Sequence, residues 1–168
     1  TLSNLFHAND TYANGNNDVD SSLKTFAATL TVPKEIPPNT AFAVTGYAQA
    51  GISGLSKVQV WLQDDATATE AEDRYFTQAP WVDATILPVP TNWGGDLPAE
   101  KLPQPLHQFD VASGQPKTWP LRLTKAHWAV LLPGVPAGKY TLRCRTIDEH
   151  DHAQPMPRPF QKSGHAAI

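Results

Sequence analysis

Apolar and polar residues alternate along this chain in short runs, with a two-residue spacing that belongs to strands and not to helices. The clearest run is Tyr140 to Thr146, where Tyr140, Leu142, Cys144 and Thr146 fall on one face and Thr141, Arg143 and Arg145 on the other. The Tyr140–Leu142–Cys144 face reads as core and the arginines as outer surface. Val135-Pro136-Ala137-Gly138 before it is turn material, and Asp148-Glu149-His150-Asp151 after it suits a second turn. Upstream, Phe26, Ala28, Leu30 and Val32 alternate with smaller or polar residues from Lys24 until Pro33 ends the run. A turn at Ile36–Thr40 leads into a second alternating stretch, Phe42–Tyr47. Val58, Val60 and Leu62 then share a face with Trp61 opposite, and this strand is expected to form a hairpin with the one before it. Trp81–Leu87, Trp119–Leu123 and Trp128–Leu132 supply further strands. Gly46 and Gly51 mark a bulge or a close backbone approach.

About seven short strands with turns at short intervals predict an all-β fold, an immunoglobulin-like antiparallel β-sandwich with long loop insertions. Residues 23–153 form that sandwich. Residues 1–22, rich in asparagine and aspartate, read as a linker or N-terminal extension. Residues 154–168 form a tail in which Pro155, Pro157 and Pro159 withhold backbone donors and rule out a sheet interior. The acidic stretch from Gln63 to Ala79 has no clear period and accommodates a helical turn around Ala68–Asp73. Pro88 to Gly114, with Asn92-Trp93-Gly94-Gly95 and His107, is a long irregular insertion of the kind that is usually functional or mobile.

The composition narrows the function classes. The chain has 168 residues, enough for one domain with a real core, and carries 16 prolines and 10 glycines. A formal net charge of −3 gives no electrostatic case for nucleic acid or an anionic membrane. No apolar run is long enough to span a bilayer. The one cysteine, Cys144, excludes an internal disulfide, and its place on an apolar strand face makes it a buried, inert thiol. The chain begins at Thr1 without a leader pattern, which points to a processed or excised piece of something longer.

The order of features resembles the C-terminal domain of sulfite-oxidase-like molybdenum enzymes. The residues that carry this resemblance are Trp128, Gly138, Tyr140, Leu142, Arg145, Asp148, Gln154 and Pro155, with a second match in Gly46, Ala48 and Gly51 followed by Val58 and Val60. The resemblance covers roughly Thr25 to Gly164. It implies an immunoglobulin-like, non-catalytic accessory and dimerisation domain of an oxidoreductase. The partners it implies are a molybdopterin-binding domain, in the parent or on a partner subunit, and a second copy in a homodimer. Molybdenum and molybdopterin would belong to that parent, with no cofactor in this chain, and a periplasmic or exported location follows from the same likeness. Family members carry, after the Gln-Pro motif, an arginine that reaches toward the substrate anion. Ser163 falls at that position here, so the resemblance does not name sulfite as the parent's substrate. Arg158, Lys162 and His165 give the tail a cationic edge that would contact an anionic pocket on the missing domain.

Other candidate sites have bland counterparts. His150 and His152 would project to one side of an extended segment and, with Asp148, supply metal-ligand types. A polar turn between strands calls for the same residues, and no distant third ligand is identifiable, so neither a metal site nor a catalytic residue is assigned. A metal-dependent enzyme built on those histidines is the remotest reading. Trp61 or Trp93 as an outward platform would instead suit an independent β-sandwich binding module for carbohydrate or a protein partner.

Overall fold

Inward and outward residues alternate along the central strands as the apolar pattern requires. Phe42, Val44, Ala48 and Ala50 are buried around exposed or half-buried Ala43, Thr45, Tyr47 and Gln49, and Val58 and Val60 are buried around half-buried Gln59 and Trp61. The computed structural model describes residues 26–67, 73, 76–90 and 106–154. The linker at 1–22, the proposed helical turn before Asp73, Trp93, and the tail residues Arg158, Lys162 and His165 lie outside the described residues. Within them the chain is all-β, with strands β1 (Phe26–Thr31), β2 (Phe42–Gln49), β3 (Leu55–Asp64), β4 (Val82–Ile86), β5 (Ala126–Leu132) and β6 (Tyr140–Asp148).

The strands form a six-stranded antiparallel sheet in the order β1-β2-β5-β4-β3-β6. Strand β4 joins its two halves: Val82–Ala84 pair with Val60–Val58 of β3, while Thr85 and Ile86 pair with Ala129 and Trp128 of β5. The sheet curls at this point, so the inner faces of β2 and β5 meet those of β3 and β6. Val44, Val58, Val60 and Trp128 have no solvent exposure, and Leu62, Ala84, Leu142 and Cys144 pack against them. Gly46 is buried and pairs directly opposite Trp128, the largest fully buried side chain.

Two expectations are corrected. Strand β3 does not form a hairpin with β2; it pairs with β4 and β6. Alternation along β2 and β3 gives both a buried face, and both faces are satisfied when the 50–54 turn carries the chain across the core instead of back along the same edge. Gly54 makes that turn with φ +80°, and its carbonyl accepts from the Glu149 amide at 3.1 Å. Trp119–Leu123 is not a strand. Pro120 withholds a ladder donor, Leu123 adopts φ 63°, and Thr124 Oγ1 turns back to the Leu121 carbonyl at 2.9 Å. Two smaller findings concern β1. Its irregularity lies between Thr29 and Thr31, opposite Gly46 and Thr45, so the bulge expected near Gly46 sits on the partner strand. Ala27 packs on the core while Val32 is 44% exposed, and the side chains of Phe26, Ala28 and Leu30 lie outside the described residues.

Gln154 joins the two ends of the curled sheet. Ala153 bridges to Ile147, and the Gln154 amide donates to the Thr146 carbonyl at 2.8 Å. Its side-chain oxygen then accepts from the Ala27 amide of β1 at 3.0 Å and the Thr146 amide of β6 at 3.2 Å. One side chain thus supplies both outermost strands with a hydrogen-bond acceptor.

Candidate functional site

Pairing of β3 with β6 assembles a site that neither strand contains alone. Gln59 stands opposite Arg145 and Trp61 opposite Arg143, all on the face turned away from the core. The return loop before β4 adds Phe76 and Trp81. The Arg143 guanidinium lies 4.7 Å from the Phe76 ring centre and 5.9 Å from that of Trp61, and Arg145 lies 4.2 Å from Trp81. Trp61 in turn meets Phe76 at 5.3 Å and Trp81 at 5.8 Å, both in tilted or edge geometry. Contacts of this kind stabilise by about 0.5–2 kcal/mol each, more where water is excluded.

Hydrogen bonds fix both arginines in place. Arg143 Nε donates to Gln63 Oε1 at 3.0 Å and Arg145 Nε to Gln59 Oε1 at 2.9 Å. Gln59 Nε2 donates onward to Asp83 Oδ1 at 2.8 Å. The loop is pinned by Trp81 Nε1, which donates to the Phe76 carbonyl at 2.8 Å, and by Asp73, whose carboxylate accepts from the Thr77 amide and hydroxyl and the Gln78 amide at 2.7–2.8 Å. Burial opposes ionisation of Asp73, but the Thr77 hydroxyl and the Gln78 and Thr77 amides outweigh it. The Arg145 charge adds to them, and the carboxyl is held below its usual value. Burial lowers the pKa of Arg145, and the charge of Asp73 pulls it back up. Among the described residues the ion pairs are Arg122 with Glu149 and His152 with Asp148, so neither Arg143 nor Arg145 has a carboxylate at ion-pair distance.

The turn after β6 is structural. Asp148 is fully buried, and its Oδ1 accepts from the amides of His150 and His152, both at 2.9 Å. Burial would raise its pKa, yet the His152 and His150 amides outweigh that and hold the carboxyl below its ordinary value. The imidazoles of His150 and His152 lie 6.1 Å apart and are exposed. No group of three or more potential metal-ligating side chains occurs among the described residues. Cys144 packs on the core, and burial pushes its thiol up to about 11.

A cleft of about 640 Å³ opens at the end of the sheet where β1 leaves and β6 enters, walled by Pro33–Pro38 and Val135–Tyr140 and floored by Phe42, Leu62 and Leu142. Its polar groups do not converge. Asp65 Oδ1 accepts from Thr141 Oγ1 at 2.6 Å, the Tyr140 hydroxyl donates to the Pro136 carbonyl at 3.1 Å, and Lys34, Glu35 and Lys139 alternate in sign. The arginine–aromatic face is therefore the better organised site. The sequence located Arg143, Arg145 and Trp61 on an outer surface but missed Gln59, Gln63 and Phe76. The available signal was the Gln-x-Trp-x-Gln spacing of β3 matched to the Arg-x-Arg spacing of β6, which acquires meaning only once the two strands are neighbours. No protein-family model matches the chain, and no curated protein matches it.

Proposed function

We propose that this chain is a non-catalytic accessory and dimerisation domain of a sulfite-oxidase-like molybdenum oxidoreductase, built as an immunoglobulin-like sandwich and joined to its neighbours through the outer face of β3 and β6. The observation that carries the reading is that face. Tryptophan and arginine are the residue types that dominate protein interfaces, and here they are held rigid before any partner arrives, which lowers the entropy lost on docking. The residues behind the family resemblance also have fold-building roles. Trp128 fills the core, Asp148 caps the final turn and Gln154 links the sheet ends. Such a signature is what an accessory domain needs from its motif.

The described residues do not fit molybdopterin. In the family this chain resembles the protein ligand to molybdenum is a cysteine thiolate, and the Cys144 thiol packs on the core with its pKa pushed up to about 11. No chemical step is assigned to this chain, and the cofactor belongs to the molybdopterin-binding part of the parent. Trp61 is not an open sugar platform, because Phe76, Trp81 and Arg143 surround it. At Trp61 the binding-module alternative therefore favours a protein partner, while Trp93, the other tryptophan offered as a sugar platform, lies outside the described residues.

Sedimentation of the full chain over a concentration series tests the reading. The wild-type chain should self-associate, and Arg145→Glu or Trp81→Ala should shift it to monomer with the fold intact by circular dichroism. A wild-type chain that stays monomeric, or association that ignores both substitutions, overturns the assignment of this face.

A further inference from the structure

We infer that Arg143 and Arg145 form a two-pronged receptor for a pair of carboxylates on a partner protein, presented two residues apart along an extended segment. The inference rests on reading the β3–β6 face as an interface, and adds the chemistry of what docks there. A guanidinium has five N–H donors in a fixed fork. In both arginines Nε–H is already taken by a glutamine oxygen, at 3.0 and 2.9 Å, and the guanidinium carbon lies over an aromatic ring. Among the described residues the hydrogen bonds of both side chains run through Nε, so the Nη edge, the part that matches a carboxylate in a bidentate pair, is the remaining recognition element. Neither group meets a carboxylate at ion-pair distance among the described residues.

The spacing sets the form of the partner. Arg143 and Arg145 are alternate residues of one strand, which places them roughly 6.5–7 Å apart along it. Acidic residues at alternate positions of an extended segment repeat that distance. The surroundings set its charge. Asp83, tied to Gln59, and Asp73, near Arg145, flank the arginines and repel a long polyanion, so the face suits two negative charges and not a nucleic acid backbone. Gln59, Trp61, Trp81, Arg143 and Arg145 are all half-exposed on this sheet face. A free oxyanion would keep most of its water there, whereas a protein segment also covers Trp61 and Trp81.

The test titrates the full chain with a synthetic extended peptide centred on Glu-Thr-Glu and with a Gln-Thr-Gln control, reading the arginine Nε–H resonances by NMR and the affinity by calorimetry. The Glu peptide should shift the Arg143 and Arg145 signals. Its affinity should fall at least about tenfold in Arg143→Gln and Arg145→Gln, and on raising salt from about 50 to 300 mM. Arg145→Lys, which keeps the charge and the fold but loses the fork, should also bind more weakly, while Lys57→Gln at an exposed position of β3 should bind normally. Equal binding of the Glu and Gln peptides, or no binding of either, overturns the inference. So does inorganic sulfate alone reproducing the shifts at the same affinity, which would mark a small-oxyanion site. Self-association that is lost in Trp81→Ala but indifferent to salt and to both Arg→Gln changes would leave the interface standing and remove the carboxylate receptor. Association indifferent to all of them removes both.

Discussion

Gln154→Ala would remove the acceptor that the outermost strands share. Gln154 Oε1 accepts from the Ala27 amide at 3.0 Å and the Thr146 amide at 3.2 Å. Each hydrogen bond contributes about 1 kcal/mol net, and a donor left without a partner in a buried site costs about 1–3 kcal/mol. Ala27 is only half-buried, so water can reach its abandoned amide and the lower end of that penalty applies there, whereas Thr146 is fully buried and its amide bears more of the cost. The expected loss is about 2–3 kcal/mol, a large share of the 5–15 kcal/mol that holds a typical domain together. Urea unfolding followed by tryptophan fluorescence should move the midpoint down by about 1 M at unchanged slope, given slopes of about 1–3 kcal/mol per molar. Hydrogen exchange should speed up at the Ala27 and Thr146 amides before it does so at Val60 or Trp128, whose strands lie inside the sheet. A midpoint shift below about 0.3 M, or unchanged protection at Ala27 and Thr146, would refute the role of Gln154 at the sheet ends.

Three further outcomes follow from the packing and the titrating groups. Gly134→Ala would drive a methyl into the Asn39 carbonyl, where the Asn39 amide already donates to the Val135 carbonyl at 2.7 Å, and should cost about 1–3 kcal/mol in the same unfolding experiment; a neutral result would mean the two loops do not abut. Cys144, with its thiol pushed up to about 11, should present only about one thiolate in a thousand at pH 8 and resist a thiol reagent until urea unfolds the chain, so rapid native labelling would contradict its inward placement. Asp148, whose carboxyl is held below its ordinary value, contributes stability that is complete above about pH 5 and lost as pH falls through the folded-state value, below about pH 4. Asp73 and Asp110 are shifted in the same direction, so Asp148→Asn should flatten part of the acid limb of the stability–pH curve and not all of it; an unaltered limb would show that Asp148 is not linked to folding.

What this sequence determines alone is local. Two-residue alternation in Tyr140–Thr146 and in Val58–Leu62 reports which side chains face the core, because successive side chains of an extended backbone must point to opposite sides. Val58 and Val60 are fully buried, and Leu62, Leu142 and Cys144 pack beside them, while Trp61, Arg143 and Arg145 lie on the outer face. The polar turn after β6 is equally legible, since Asp148 has the side chain to accept amides two and four residues ahead. Pairing is not local. An alternating strand buries its apolar face equally well beside several neighbours, so nothing in β2 or β3 announces that they separate across the core and that β3 takes β4 and β6. The apolar count of Trp119–Leu123 suggests a strand, but apolar residues also line turns, and the backbone there follows Pro120 and Leu123 into one. The arginine–aromatic face and the Gln154 link are tertiary in the same sense. Arg143 meets Gln63 across 80 positions and Gln154 meets Ala27 across 127, and contacts so distant in sequence exist only after the sheet has curled.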